Sequence, residues 1–260
     1  MIYAAMGMWV FLILLTGMGV YRVWTKHLGG AVADWLLFPA TVMSELAYSA
    51  GRLMTGRPAY GGIISPQNPS NDACRTAISG KGGFLVAMLS SFLVLVVCGA
   101  ALGLLGKWMG EGTIRAFVSS GGVFESDFLP KEFPTDWDAF WGTVMYQVEL
   151  LRRFCEGWVR LDWGNWPVPV FVYLSICLSV RLGPVRHDWR ATLVVAAVLL
   201  ALLGATAAVI KPLRDVVNGE LWWLLTYTWG LLLFLLVVTL IVLGIVYLVR
   251  AVIGKGKTAA

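Results

Sequence analysis

Long apolar runs divide this chain, and their length limits what it can fold into. A helix needs about eighteen apolar residues or more to cross the hydrocarbon core of a bilayer. Four runs reach that length: residues 3–20, 84–105, 191–210 and 221–249. Only 13% of the 260 residues are charged, against about 25% in a soluble domain, so the chain cannot cover itself with polar surface. We therefore predict an all-α, polytopic membrane bundle that forms a single domain over residues 1–260.

One further apolar stretch, residues 36–56, carries a carboxylate, Glu45, near its middle. Ser44 and Tyr48 flank it and lie one helical turn apart on the same face. With histidine at both positions, the segment from Ser44 to Tyr48 would read HELAH. That is the zinc-binding helix of a metalloprotease, in which two histidines hold the metal and the glutamate is the general base. Here the glutamate is present and neither ligand position holds histidine.

The sequence of residues 36–56, LLFPATVMSELAYSAGRLMTG, resembles the active-site helix of site-2-protease-like integral membrane zinc metalloproteases. The likeness is greatest to bacterial members with an FPxTxxHExxH helix followed by Thr-Gly. Two other stretches fit it: Ser-Pro-Gln-Asn-Pro at residues 65–69, and the apolar residues 172–179 followed by Gly-Pro-Val-Arg-His-Asp at 183–188. The resemblance covers residues 31–210. It implies a helical protein of the bacterial inner membrane, with Glu45 at the base position.

The resemblance places Ser44 and Tyr48 at the positions of two zinc ligands. Serine and tyrosine are poor zinc ligands beside histidine, so we predict no metal, no cofactor and no catalytic residue, with Glu45 a vestigial base. An ionisable residue inside a membrane span is a functional candidate by default. The structural interpretation of Glu45 is a hydrogen-bonded carboxyl paired with Arg52 or Ser49. Asp188 is a more distant candidate metal ligand, although a helix-capping role explains it better.

Basic residues at the ends of the apolar runs predict the orientation of the chain. Residues 52–83, residues 181–190 and the tail after residue 249 are rich in Arg and Lys, whereas the long polar insertion at 107–166 is net acidic. We therefore place the three basic segments in the cytoplasm. The insertion and the loop at 211–220 are expected on the other side.

Residues 31–54 decide how many times the chain crosses the membrane. They contain Asp34 near the start, and Pro39, which should bend or restart the helix. If the segment spans, the chain has about six spans and a cytoplasmic N-terminus. If it re-enters the side it came from, there are five spans and the N-terminus lies outside, which Arg22 and Lys26 favour. We predict six, in line with the family resemblance.

Apolar residues recur at three- and four-residue spacing from residue 137 to residue 160, which predicts an amphipathic helix within the extramembrane insertion. Its candidate binding surface is apolar and rich in tryptophan: Trp137, Trp141, Met145, Val148, Leu151 and Trp158. The other face is charged: Asp138, Glu149, Arg152, Arg153 and Glu156. Such a helix suits a membrane surface, a partner protein or the bundle itself, and amphipathicity alone does not choose among them.

Other chemistries lack a motif. The four cysteines form no CxxC pair, and the chain has no GxSxG, Walker or dinucleotide-binding sequence. The net charge of +5 comes from Lys and Arg at the ends of apolar runs. That placement suits anionic lipid headgroups and gives no indication of nucleic-acid binding.

Together these observations predict a non-catalytic membrane scaffold or accessory subunit of a larger membrane complex. Its expected partners are membrane lipids and other membrane protein subunits. Two alternatives stay open. One is an active intramembrane metalloprotease with unusual ligands. The other is a small-solute transporter, although the sequence shows no inverted repeat and no pair of broken helices.

Overall fold

The computed structural model describes residues 2–55, 83–109, 129–130, 132, 134, 136–183 and 189–255, and within these ranges the chain is helical without strands. The helices are α1 (Ile2–Leu28), α2 (Gly30–Leu36), α3 (Phe38–Met54), α4 (Gly83–Trp108), α5 (Trp137–Arg160), α6 (Pro167–Leu182), α7 (Trp189–Val209), α8 (Lys211–Val216) and α9 (Trp222–Lys255). A π-helical turn, Val217–Leu221, joins α8 to α9. The predicted all-α fold is confirmed.

Four of the described helices are long and apolar enough to cross a membrane: α1, α4, α7 and α9. Helix α6 is apolar but shorter. The four long helices and the shorter α6 are roughly consistent with the prediction of about six spans. They also identify the chain as a membrane protein.

The contacts between helices set their relative directions. Trp9 of α1 packs against Trp229 of α9, with ring centroids 5.6 Å apart. Farther along both helices, the indole N–H of Trp24 donates to the Thr239 hydroxyl at 3.2 Å. Helices α1 and α9 therefore run parallel. The end of α4 lies beside the start of α9, where a Cβ on Gly106 would be 3.7 Å from the Trp223 ring, so α4 runs antiparallel to both.

Helix α3 is antiparallel to α4 and hence runs in the same direction as α1. Its last turns lie against the first turns of α4, where a Cβ on Gly51 would come 2.8 Å from the Ser90 Cα. At the other end, Ala40 and Ala101 line the same cavity. Only glycine at position 51 permits the two backbones to approach this closely. Small residues commonly allow such close contact between membrane helices.

Two consecutive helices that run parallel need a return segment, and α2 provides it. Gly29, at φ 87°, turns the chain back after α1. The Tyr21 hydroxyl then donates to Asp34 Oδ1 at 2.9 Å, which holds α2 against α1. Helix α2 has seven residues, a length of about 10 Å, so it enters only part of the bundle before α3 leads back out. Pro39 in the first turn of α3 restarts the helix as predicted.

The amphipathic helix predicted from residue 137 to residue 160 is α5, with the same bounds. One stripe of it packs on the bundle. Phe154 is buried, and its ring occupies the space that a side chain at Gly230 of α9 would need. Trp158 lies on Phe234 with ring centroids 4.8 Å apart. This part of the predicted extramembrane insertion therefore packs against α9, a candidate membrane span.

Candidate functional site: a buried arginine beside a helix break

The most unusual described residue is Arg181, in the last turn of α6, whose side chain is 2% exposed. Its Nε donates to the Ser44 hydroxyl at 3.0 Å. Its Nη2 lies 3.7 Å from Glu45 Oε1. The guanidinium carbon is 5.8 Å from the centre of the Tyr21 ring, within the range of a cation–π contact. One guanidinium therefore joins α1, α3 and α6.

The neighbours of Arg181 are themselves held in place. Ser44 accepts from Arg181 and donates its own proton to the Thr41 carbonyl at 3.0 Å. Tyr21 presents its ring to the guanidinium and its hydroxyl to Asp34. Burying charges in a bundle is tolerated when they are paired and hydrogen-bonded. The cluster has both kinds of contact, drawn from four helices.

The end of α2 is fixed by the same helix that carries Arg181. The Leu36 carbonyl accepts a hydrogen bond from the Tyr173 hydroxyl at 2.8 Å. The Cys177 thiol donates to the same carbonyl at 3.6 Å. Carbonyls at a helix end lack intrahelical partners, so α6 supplies side-chain donors at the point where α2 stops. Side chains of α6 thus stabilise the break between α2 and α3.

Sequence reasoning missed Arg181 as a site residue. The sequence groups it with the basic residues of a cytoplasmic segment at 181–190, whereas in the structure α6 continues to Leu182 and buries the side chain. The available signal was a single charge inside an otherwise apolar run. The sequence predicts Arg52 or Ser49 as the partner of Glu45, and the structure places Arg181, from a distant part of the chain, beside it. Tyr48 is half-buried and packs against the core.

The residues at the position where the sequence resemblance places a metal do not fit zinc. Catalytic zinc sites use three protein ligands in addition to water or substrate. No group of three His, Cys, Asp or Glu side chains that could hold a metal occurs among the described residues. The Ser44 hydroxyl and the Glu45 carboxylate instead face a guanidinium, whose charge would repel a divalent cation. His187, Asp188 and residues 65–69 lie outside the described ranges.

Helix α5 presents a second candidate surface. The residues of α5 that face the bundle include Trp158 and the buried Leu150, Phe154 and Gly157. On the same side of α5, the Gln147 side-chain oxygen accepts a hydrogen bond from the indole N–H of Trp229 on α9. Leu151 is half-buried and lies within one turn of Phe154. Two residues of the predicted binding surface, Leu151 and Trp158, therefore lie on or beside the bundle-facing side.

The remaining four residues of that predicted surface point away from the bundle. We call them the outward stripe: Trp137, Trp141, Met145 and Val148, which are 70%, 47%, 64% and 58% exposed. Trp137 stacks on Phe140 with ring centroids 5.4 Å apart and meets Trp141 edge-on at 5.8 Å. The aromatic rings thus form a pre-arranged patch. Contiguous apolar surface of this kind marks contact with a protein or a membrane.

The charged side of α5 stabilises the helix and leaves no strong site. Arg153 Nε lies 3.1 Å from Glu149 Oε1, and Arg152 Nε lies 3.0 Å from Glu156 Oε1. Both are pairs one turn apart with partly exposed side chains. Pairs of this kind contribute about 0.3–0.5 kcal/mol each, so they support α5 without providing a specific binding energy.

Comparison with protein-family models, with curated proteins and with solved structures finds no match for this chain. The site must therefore be interpreted from its own geometry. That geometry is a buried guanidinium, held by Ser44 and Glu45 where the sequence resemblance places a metal ion.

Proposed function

We propose that the protein is a non-catalytic subunit of a membrane assembly, descended from a site-2-protease-like metalloprotease. In this proposal Arg181 has taken the place of the metal ion. The observation that carries it is the pair of contacts from Arg181 to Ser44 and Glu45, at 3.0 Å and 3.7 Å. A permanently charged guanidinium supplies the positive charge that a metal would supply, but it offers no open coordination position for water.

The proposed role of Glu45 follows from this substitution. A general base in a metalloprotease takes a proton from metal-bound water, and the metal is what makes that water acidic enough to lose it. Beside Arg181 the carboxylate acts as a counter-ion that helps to hold α3 against α6. The cluster then has a structural role, and the assembly function lies on the outer surface of the protein.

Metal analysis tests the non-catalytic part of the proposal. Protein purified without chelator should contain zinc far below one atom per chain. Ser44→His with Tyr48→His should take up little zinc while Arg181 is present, and more once Arg181→Ala is added. Stoichiometric zinc in the unmodified protein would refute the proposal and favour an active protease. Equal zinc uptake with and without Arg181 would show that the arginine does not exclude the metal.

The outward stripe supports the assembly part of the proposal. We expect Trp141→Asp with Met145→Asp to reduce the mass of the native particle in mild detergent, because two charges would be placed within an apolar contact. Arg152→Ala with Glu156→Ala is the matched control, since it changes the charged side of α5 and leaves the stripe intact. Mass photometry measures both. A wild-type particle of monomer mass, or one that survives the stripe variant unchanged, contradicts a partner on this surface.

A small-solute transporter is the second candidate, favoured by the break between α2 and α3. Broken helices form substrate sites in many transporters, where half-helix N-termini face anionic groups. Here the break is held by α6, which also carries Arg181. Proteoliposomes should then take up labelled small anions, with loss of uptake in Arg181→Leu and not in the exposed Arg190→Leu control. Uptake no greater than in protein-free liposomes dismisses this candidate.

A further inference from the structure

A cavity of about 320 Å³ lies between α1, α4, α7 and α9. These are the four described helices with the length and composition of membrane spans. Apart from Thr228, the lining consists of aliphatic side chains, Met6 and glycine. The Thr228 hydroxyl already donates to the Leu224 carbonyl at 2.7 Å. A buried water needs two to four polar partners, and this lining offers too few, so the cavity is suited to an apolar occupant.

The cavity reaches the outer surface of the bundle at α4, next to α7, and we call this opening the window. Val96 of α4 lines it and is 41% exposed. Nearer the start of each helix, α4 and α7 are in contact: the Thr192 hydroxyl of α7 donates to the Ser91 hydroxyl of α4 at 3.3 Å. One turn beyond Val96, a side chain at Gly99 would have no atom within 4 Å. Because both helices are candidate spans, this window would face hydrocarbon in a bilayer.

The dimensions fit part of a lipid chain. An engineered cavity of about 150 Å³ in another protein stays dry and binds benzene. By that measure, a cavity of about 320 Å³ has room for on the order of ten carbon atoms. The bilayer supplies linear chains of that kind directly at the window, at a far higher local concentration than any dissolved ligand.

We propose that this cavity binds one acyl chain of a bilayer phospholipid, which enters through the window between α4 and α7. The chain fills space that glycine at position 99 leaves open, and it contacts Leu199 and Leu203 on α7. The lipid is then a specific component of the bundle and not part of the mobile lipid around it. The inference is independent of the proposed subunit role, because it concerns a different part of the molecule.

The test uses the full protein in nanodiscs of phosphatidylcholine that carries a diazirine on one acyl chain. Photolysis should label cavity-lining peptides of α4 and α7 in the wild-type protein. Gly99→Leu, which fills the space, should reduce that labelling several-fold. Gly244→Leu is the matched control, because it adds the same side chain to a spanning helix at a glycine with no neighbour within 4 Å that does not line the cavity.

Native mass spectrometry identifies the occupant and guards against misfolding of the Gly99 variant. One retained phospholipid per wild-type chain supports the proposal, and a retained free fatty acid overturns its lipid source. Leu203→Ala enlarges the cavity and should keep both the lipid and the labelling. Absence of cavity labelling in the wild-type protein overturns the proposal, as does labelling that is equal in Gly99→Leu and Gly244→Leu, which would indicate only the surrounding lipid.

Discussion

Removing Glu45 tests the pairing with Arg181 most directly. Glu45→Ala takes away the carboxylate that lies 3.7 Å from Nη2 and leaves a guanidinium that is 2% exposed. Removing one partner of a buried ion pair costs about 3–5 kcal/mol, because a buried charge is left uncompensated. The contact is at the long end of the ion-pair range, and the Glu45 side chain is 20% exposed. We therefore expect the lower end, about 3 kcal/mol.

For a chain of this size, a loss of about 3 kcal/mol corresponds to a fall in Tm of roughly 6–12 °C. Thermal unfolding in detergent, followed by tryptophan fluorescence, measures it. Arg181→Met with Glu45→Ala removes both charges and keeps the volume of the arginine stem, and such replacements are often neutral. The double variant should recover to within about 1 kcal/mol of wild type.

Glu149→Ala is the control, since it breaks a partly exposed pair with Arg153 and should cost about 0.5 kcal/mol or less. The reasoning is refuted if Glu45→Ala unfolds within about 1 kcal/mol of wild type. It is also refuted if the double variant loses as much stability as the two single changes added together, because Glu45 and Arg181 would then be energetically independent.

Two further predictions concern the packing of α3. Leu28→Cys and Met54→Cys should react with a membrane-impermeant thiol reagent from the same side, because α2 and α3 form a hairpin; reaction from opposite sides would mean that residues 31–54 cross the membrane. Gly51→Leu should separate α3 from α4 and lower Tm, because even a Cβ would lie 2.8 Å from the Ser90 backbone. Gly19→Leu, at an open position, should leave Tm nearly unchanged. Equal Tm values for the two variants would contradict the close packing.

The hairpin of α2 and α3 corresponds to the alternative in which residues 31–54 re-enter the side of the membrane they came from. Helices α1 and α3 are parallel and are separated only by α2, which is too short to recross the bundle. Arg22 and Lys26 then lie at the same end of the bundle as Arg52. The positive-inside rule favours such grouping of basic residues on one side. The labelling experiment distinguishes this arrangement from a sixth full span.

The local features of the protein could be predicted from sequence because they depend on near neighbours. The length of an apolar run sets whether a helix can span. Pro39 interrupts the apolar segment, since proline has no N–H and inside a helix clashes with the preceding turn. The amphipathic period of α5 marked its ends at residues 137 and 160, as observed.

The tertiary structure decided what depends on distant contacts. The sequence indicated that Glu45 needs a partner, but Arg181 lies far along the chain and meets it only when α6 packs on α3. The sequence also showed an apolar side of α5, but not which part of it would dock. The docked part of α5 depends on Gly230, which has no side chain and therefore leaves room for the Phe154 ring. Periodicity records which residues avoid water, whereas docking depends on the shape of a second helix that the period does not contain.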